Sequence, residues 1–375
     1  MKKISVDISA EYSILKAENV TEEFAVRSVA RTALQHGMIL GEDVIRQGTV
    51  ICPAGTVVDD TVVERLKSCS VMCVTVRDQI DSAATRFEKI RFNESFRLFE
   101  QKHTSGLIRY KQLLNEFLSG GIPVPDQALL ALYDDLCSTY PGGSVLLEYL
   151  YNLVPNEDEL TYNHCLNSAL LAGAFADWMG LSGEKKDILI LSCFYYDIGK
   201  MQLPYELLWK PGKLNENEYE LVKKHPVIGY SLLEKTDLDQ RIKNAVLMHH
   251  ERMDGSGYPD GLKGSDIELS ARYVAIIDTY IAMASPRSYR CALTPLQILG
   301  NFEQNMQKFD TALLLPLAGR IADAQIGSTV QMDDDSVWSI EQIHEDDLSR
   351  PVLISQDGRR LDLAKDRQRE IMKLL

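Results

Sequence analysis

Residues 249–259 read His249-His250-Glu251-Arg252-Met253-Asp254-Gly255-Ser256-Gly257-Tyr258-Pro259 and follow an apolar segment, Ile242 to Met248. Two neighbouring imidazoles at the end of a helical segment can offer two nitrogen ligands to one metal ion. Gly255 and Gly257 let the backbone turn sharply, and Tyr258-Pro259 sets a rigid corner. Two further histidines, His164 and His225, precede this pair; Asp197 lies between them, and Asp278 closes the apolar run Val274 to Ile277. A carboxylate in such a run needs a positive partner, which a metal would supply. Imidazoles and carboxylates in this number point to metal-assisted chemistry on a phosphate ester. Each residue alone has a plainer reading: Asp278 as a cap or ion pair, His225 as a helix-boundary residue before Pro226, Tyr258 as part of a turn.

Composition narrows the partners. The formal net charge of -14 over 375 residues argues against chain-wide attraction to nucleic acid or an anionic membrane, so no DNA partner is expected. A local basic pocket stays open. No stretch approaches the roughly 20 apolar residues that span a bilayer, and the N-terminus lacks the apolar core of a signal peptide. Cysteines 52, 69, 73, 137, 165, 193 and 291 are odd in number and scattered, which suits buried free thiols in a reducing cytoplasm. Cys69 and Cys73 have no second pair to complete a metal site and are expected to be buried structural thiols.

The length allows two or three domains. Residues 1–80 read as a small β-rich unit, with Val44-Ile45 and Thr49-Val50-Ile51 flanking Gly48, a helix over Val62 to Lys67 capped by Asp60-Thr61, and a β-branched run from Val71 to Val76. Residues 81–124 read as a helical connector docked on its neighbour, its apolar face marked by Phe87, Ile90, Phe96 and Phe99. Residues 125–326 carry helical periodicity, through Leu166, Leu170, Ala174 and Trp178 in one helix and Ile188, Leu191 and Phe194 in the next. Residues 327–375 return to short strands at Thr329-Val330, Val337 to Ile340 and Val352 to Ile354. The expected fold class is mainly α, with small β-rich extensions at both ends.

Over roughly residues 145–310 the chain resembles the HD-GYP proteins, a branch of the HD-domain metal-dependent phosphohydrolases. The resemblance runs through Asp197-Ile198-Gly199-Lys200, Leu203-Pro204, Lys210 to Leu214, His225-Pro226 and Gly229. It continues through residues 249–259, Gly261 to Gly264, Asp278 and Arg287-Ser288-Tyr289-Arg290. It implies a helical core holding iron or manganese and hydrolysis of cyclic di-GMP to the linear dinucleotide pGpG or onward to GMP. By the same resemblance Asp197 bridges two metals, His225, His249 and His250 complete one of them, and His164 and Asp278 belong to the other. Adjacent metals acidify a water and clamp phosphate oxygens. Lys200, one helical turn past Asp197, would serve the leaving phosphate side. Arg287 and Arg290, three apart, would grip phosphate or guanine edges, with a solvated surface pair as the alternative. Tyr258 would line the substrate groove.

Two positions depart from the family pattern. The histidine of the name-giving His-Asp dyad is Tyr196 here, and a phenol with an ordinary pKa near 10 is a poor ligand for divalent ions at neutral pH. It reads as a residue that fills space and hydrogen-bonds. A glutamate one turn before His164, present in some trinuclear members, is Leu160 here, with Glu159 one residue off register. One or two ions are therefore expected. The functional reading is a cyclic di-GMP phosphodiesterase of reduced or altered activity. Its alternative is a catalytically silent receptor for the nucleotide or a protein-interaction scaffold, and signalling proteins or a second copy of the chain are open as partners. An HD phosphohydrolase for another nucleotide is disfavoured by the Gly-Tyr-Pro turn, Lys200 and both arginines.

Overall fold

Alternation of apolar side chains builds the first folded unit. The computed structural model describes residues 27–31, 34–46, 49–69, 71–77, 90, 93–120, 126–153, 160–208, 210, 212–285 and 292–375. Strands β1 (Arg27–Ala30), β2 (Ile39–Leu40), β3 (Val44–Arg46) and β4 (Thr49–Cys52) precede helix α1 (Asp60–Ser68) and strand β5 (Cys73–Arg77). An antiparallel sheet runs β1-β5-β2, beside a β3-β4 hairpin. The cap of α1 is Asp59, whose carboxylate accepts a hydrogen bond from the Val62 amide at 2.8 Å, one residue ahead of the cap that the sequence pattern favours. Val74 and Val76 face inward onto Leu40, Val58 and Leu66, a core separate from the main one. The same period of two turns Cys73 outward, and Cys69 ends α1 half-buried. The expected burial of these two thiols is thus corrected.

The helical region comprises α2 (Glu94–Gly120), α3 (Asp126–Cys137), α4 (Gly143–Asn152), α5 (Leu160–Trp178), α6 (Glu184–Tyr195), a 3-10 turn (Ile198–Gln202), α7 (Tyr205–Leu208), α8 (Glu216–Val222), α9 (His225–Leu233), α10 (Gln240–Met248), α11 (Leu269–Ala284), α12 (Pro295–Gln304) and α13 (Thr311–Asp323). Every residue of α5 from Asn163 to Ala176 is buried, as is α6 from Ile188 to Tyr195. A helix covered on all sides is a core helix. Helices α5 and α6 pack together, α11 crosses both, and α10 lies against α6, α9 and α11. Helix α2 inserts Phe96, Phe99, Tyr110 and Leu114 into this core and rests on α3 and α5. Phe87 lies outside the described residues.

After α13 the chain forms β6 (Thr329–Met332), β7 (Val337–Gln342), β8 (Val352–Ile354), β9 (Arg360–Asp362) and β10 (Ile371–Leu374), antiparallel in the order β10-β6-β7-β8-β9. Val330, Met332, Ile340, Leu353 and Leu374 join the same hydrophobic core as the helices. Glu303 on α12 ties the β7–β8 connection down, accepting from the Leu348 amide at 2.6 Å and the Ser349 hydroxyl at 2.5 Å. Among the described residues no helix is long and apolar enough to cross a membrane.

A candidate metal centre

Three helix ends meet at one point because two glycines let them. Asp197 follows α6 and opens the 3-10 turn, while His225 begins α9, with Pro226 pre-setting the first helical turn. A Cβ on Gly199 would lie 2.0 Å from the His225 carbonyl oxygen and 2.6 Å from the Gly229 amide nitrogen. Only hydrogen fits there, so the 3-10 turn presses onto α9 and sets Asp197 beside His225. His249 caps the C-terminus of α10 and brings His250 with it.

The protons of two rings are accounted for. Nδ1 of His225 donates to the Val222 carbonyl at 2.7 Å, and Nδ1 of His249 to the Val246 carbonyl at 2.8 Å. A carbonyl only accepts, so each neutral ring presents a bare Nε2. Burial lowers the pKa of His225 and favours the neutral form. The two Nε2 atoms lie 3.1 Å apart. Asp197 Oδ1 is 3.2 Å from the first and 3.7 Å from the second, fully buried and without a hydrogen-bond partner. With both rings neutral, these are three electron-rich atoms facing one another, a set that a cation would satisfy.

His250 adds a fourth ligand atom; one ligand atom from each of Asp197, His225, His249 and His250 lies within 4.8 Å of the others. Burial holds the His250 pKa well below the ordinary value. A second group joins Asp197 to His164 on α5 and Asp278 on α11. His164 Nε2 is 2.8 Å from Asp278 Oδ1, and the buried His164 Nδ1 has no partner. Burial pushes both carboxyl groups up, but Lys200 and the imidazoles at Asp197, and His164 at Asp278, outweigh it and hold both well below the ordinary carboxylate range. Lys200 Nζ donates to Asp197 Oδ2 at 2.6 Å. Its sequence reading looked outward to a leaving group; the structure adds an inward task, fixing the carboxylate. Mixed nitrogen and oxygen ligands of this kind fit a divalent transition metal.

Tyr196 sits fully buried among these groups. Its ring meets His249 edge-on with centroids 5.0 Å apart, and its hydroxyl pairs with the Ser168 hydroxyl at 3.1 Å. Burial, with Asp278 and Asp197 nearby, pushes the phenol pKa well above 10, so it stays neutral.

The loop after the histidine pair is held from beneath. The buried Glu251 carboxylate accepts from the amides of Asp260 at 2.8 Å, Gly261 at 3.1 Å and Leu262 at 3.0 Å. A Cβ on Gly257 would stand 2.5 Å from the His250 carbonyl oxygen and from Arg252 N, so the loop folds flat onto its own start. The Tyr258-Pro259 bond is cis, and the Tyr258 ring stacks on His250, centroids 4.7 Å apart and planes at 26°.

Residues 148–313 match the HD domain family. This HD-like stretch contains the whole histidine and aspartate cluster. The chain is similar to the cyclic di-GMP phosphodiesterase response regulator RpfG of Xanthomonas campestris, 45% identical over 127 residues, covering 33% of each chain. It is also similar to the 3'3'-cGAMP-specific phosphodiesterase 1 of Vibrio cholerae, 36% identical over 148 residues, or 40% of this chain and 34% of that protein. A cyclic di-GMP phosphodiesterase of Thermotoga maritima is 37% identical over 147 residues, 39% of this chain and 40% of that protein. The matches thus span two fifths or less of these relatives.

Within this stretch the structure draws together His164, Asp197, His225, His249, His250 and Asp278, with Lys200, Tyr196 and Tyr258 at their margin. Arg287 and Arg290 lie outside the described residues, as does Glu159. Leu160, at the start of α5, carries no metal-binding atom. The sequence reading gave Glu251 no task; its three acceptor contacts fall nine to eleven residues downstream, a spacing that no helix or strand period marks.

Proposed function

We propose that the HD domain is a metal-dependent phosphodiesterase that hydrolyses cyclic di-GMP to pGpG and onward to GMP, working in the cytoplasm. The observation that carries this reading is the convergence of the Nε2 atoms of His225 and His249 on the buried Oδ1 of Asp197, which has no hydrogen-bond partner. The relatives' cyclic-dinucleotide activities point to the substrate.

Asp197, His225, His249 and His250 would hold one divalent ion, iron or manganese, and Asp197, His164 and Asp278 a second. Such an ion supplies Lewis-acid chemistry, drawing charge from phosphate oxygens and acidifying water. The protein's own groups do the rest. Lys200 holds Asp197 Oδ2 and so aims Oδ1 at the imidazoles; its ammonium also offers a proton to the leaving oxygen. Tyr258, stacked on His250, would line the groove, and Arg287 and Arg290 would hold phosphate or guanine edges by charge-assisted hydrogen bonds. Tyr196, a neutral phenol bound to Ser168, fills space beside the centre and offers no ligand, which leaves the second ion with fewer protein contacts and the enzyme with reduced activity.

The test is to load the purified chain with manganese and follow cyclic di-GMP conversion by chromatography. Turnover to pGpG by the native chain and none by Asp197→Ala supports the enzyme. Binding without turnover, with turnover restored by Tyr196→His, would show a receptor instead. No binding would overturn the reading.

A further inference from the structure

Helix α8 sets a cation and an exposed ring at the edge of the metal centre. Lys223, just after its last turn, places Nζ 5.9 Å from the centroid of the Tyr258 ring and 5.6 Å from that of Tyr219. Tyr219 and Lys223 are four residues apart and share a face of the helix. Because Tyr258 stacks on His250, a single aromatic ring separates the ammonium from the histidine cluster.

Lys223 has a carboxylate partner on its own helix, and Tyr219 is exposed. The carboxylate partner of Lys223 among the described residues is Glu220 at 2.5 Å, an i,i+3 pair whose acid is 63% exposed. Exposed pairs of this kind contribute little and exchange readily. Tyr219 is 49% exposed, with no other aromatic ring stacked on it among the described residues. An ammonium near two rings, one of them on an exposed residue, suits a ligand that carries both a phosphate and a flat base.

We infer that Tyr219 and Lys223 form a subsite for the half of the cyclic dinucleotide that is not being cut: Lys223 pairs with its phosphate and Tyr219 stacks its base. The inference rests on the proposed hydrolysis of a cyclic dinucleotide. A substrate with one phosphate and no base would not use the subsite, so selectivity reads it out.

The test compares kcat and KM of the full manganese-loaded chain for cyclic di-GMP and for bis(p-nitrophenyl) phosphate, in the native protein, Tyr219→Ala, Tyr219→Phe and Lys223→Gln. Loss of one stacked base corresponds to a loss of about tenfold or more. The expected result is a preference for cyclic di-GMP over the small diester that falls about tenfold in Tyr219→Ala and in Lys223→Gln, through KM, and is restored in Tyr219→Phe. Native turnover of cyclic di-GMP with the same KM in these variants, or an equal loss on both substrates, overturns the subsite alone. A native chain without cyclic di-GMP turnover overturns the proposed function and the subsite with it.

Discussion

The Nε2 atoms of His225 and His249 stand 3.1 Å apart, and the ring proton of each is already given to a main-chain carbonyl. Two ring nitrogens so close, beside Oδ1 of Asp197, form a ready-made ligand set for a metal cation. His249→Ala removes one of the pair, and its manganese affinity should fall at least about 100-fold, more than the loss of an outer-shell contact costs. Metal titration against the native chain checks this. Manganese at 100 times its Kd should also stabilise the native fold by about 2.7 kcal/mol, and His249→Ala should lose that gain.

Gly199 lets the 3-10 turn reach α9. In Gly199→Ala the new Cβ would meet the His225 carbonyl oxygen at 2.0 Å, a backbone atom that cannot rotate away. The turn must shift, at a cost of about 3 kcal/mol or more, and Asp197 must shift with it. Thermal unfolding should show a lowered Tm, and metal binding should weaken in whatever fraction remains folded.

Glu251 is a positioning residue for the loop that carries Tyr258. In Glu251→Gln one carboxylate oxygen becomes an NH2 group, which must face at least one of the amides of Asp260, Gly261 and Leu262 donor to donor. An unsatisfied buried donor costs about 1–3 kcal/mol. Reduced stability is expected, together with a raised KM for the nucleotide, while the metal content stays near native. Equal stability and equal KM would show that the loop holds itself.

His103 on α2 gives the fold a pH dependence outside the metal centre. It is buried, bonds Asn167 Oδ1 at 2.7 Å, and burial lowers its pKa from 6.5 to about 4. The folded protein therefore resists the proton that the unfolded chain accepts below pH 6.5. The associated stability is present in full above that pH and is lost as pH falls towards 4, by up to about 3 kcal/mol. Denaturant unfolding of the native chain and of His103→Gln should diverge in slope between pH 6.5 and 4 and run parallel above it.

The sequence pattern carried the site further than the fold. His249-His250 and His225-Pro226 announce helix ends in their own local residues, and Asp278 stands out against the apolar run before it. Their gathering at one centre was legible only through the family resemblance. Contacts made across the fold were not. Phe96 and Tyr110 place α2 inside the core, yet the same pattern serves a connector docked on one side. Strand β9 is Arg360-Leu361-Asp362, whose charged ends hide its pairing with β8. Cys73 shows that an apolar run does not say which face is inward. Lys200 reads as an outward cation until the fold sets it on Asp197.

The central claim is that the cluster around Asp197, His225 and His249 binds a divalent metal in order to cut a cyclic dinucleotide. Its most direct test strips the full chain with chelator and returns manganese stepwise while cyclic di-GMP conversion is followed in the same sample. The account predicts no conversion in the stripped chain, conversion that rises with bound metal, and neither tight metal nor conversion in Asp197→Ala. Conversion independent of metal, or tight manganese retained by Asp197→Ala, would contradict it.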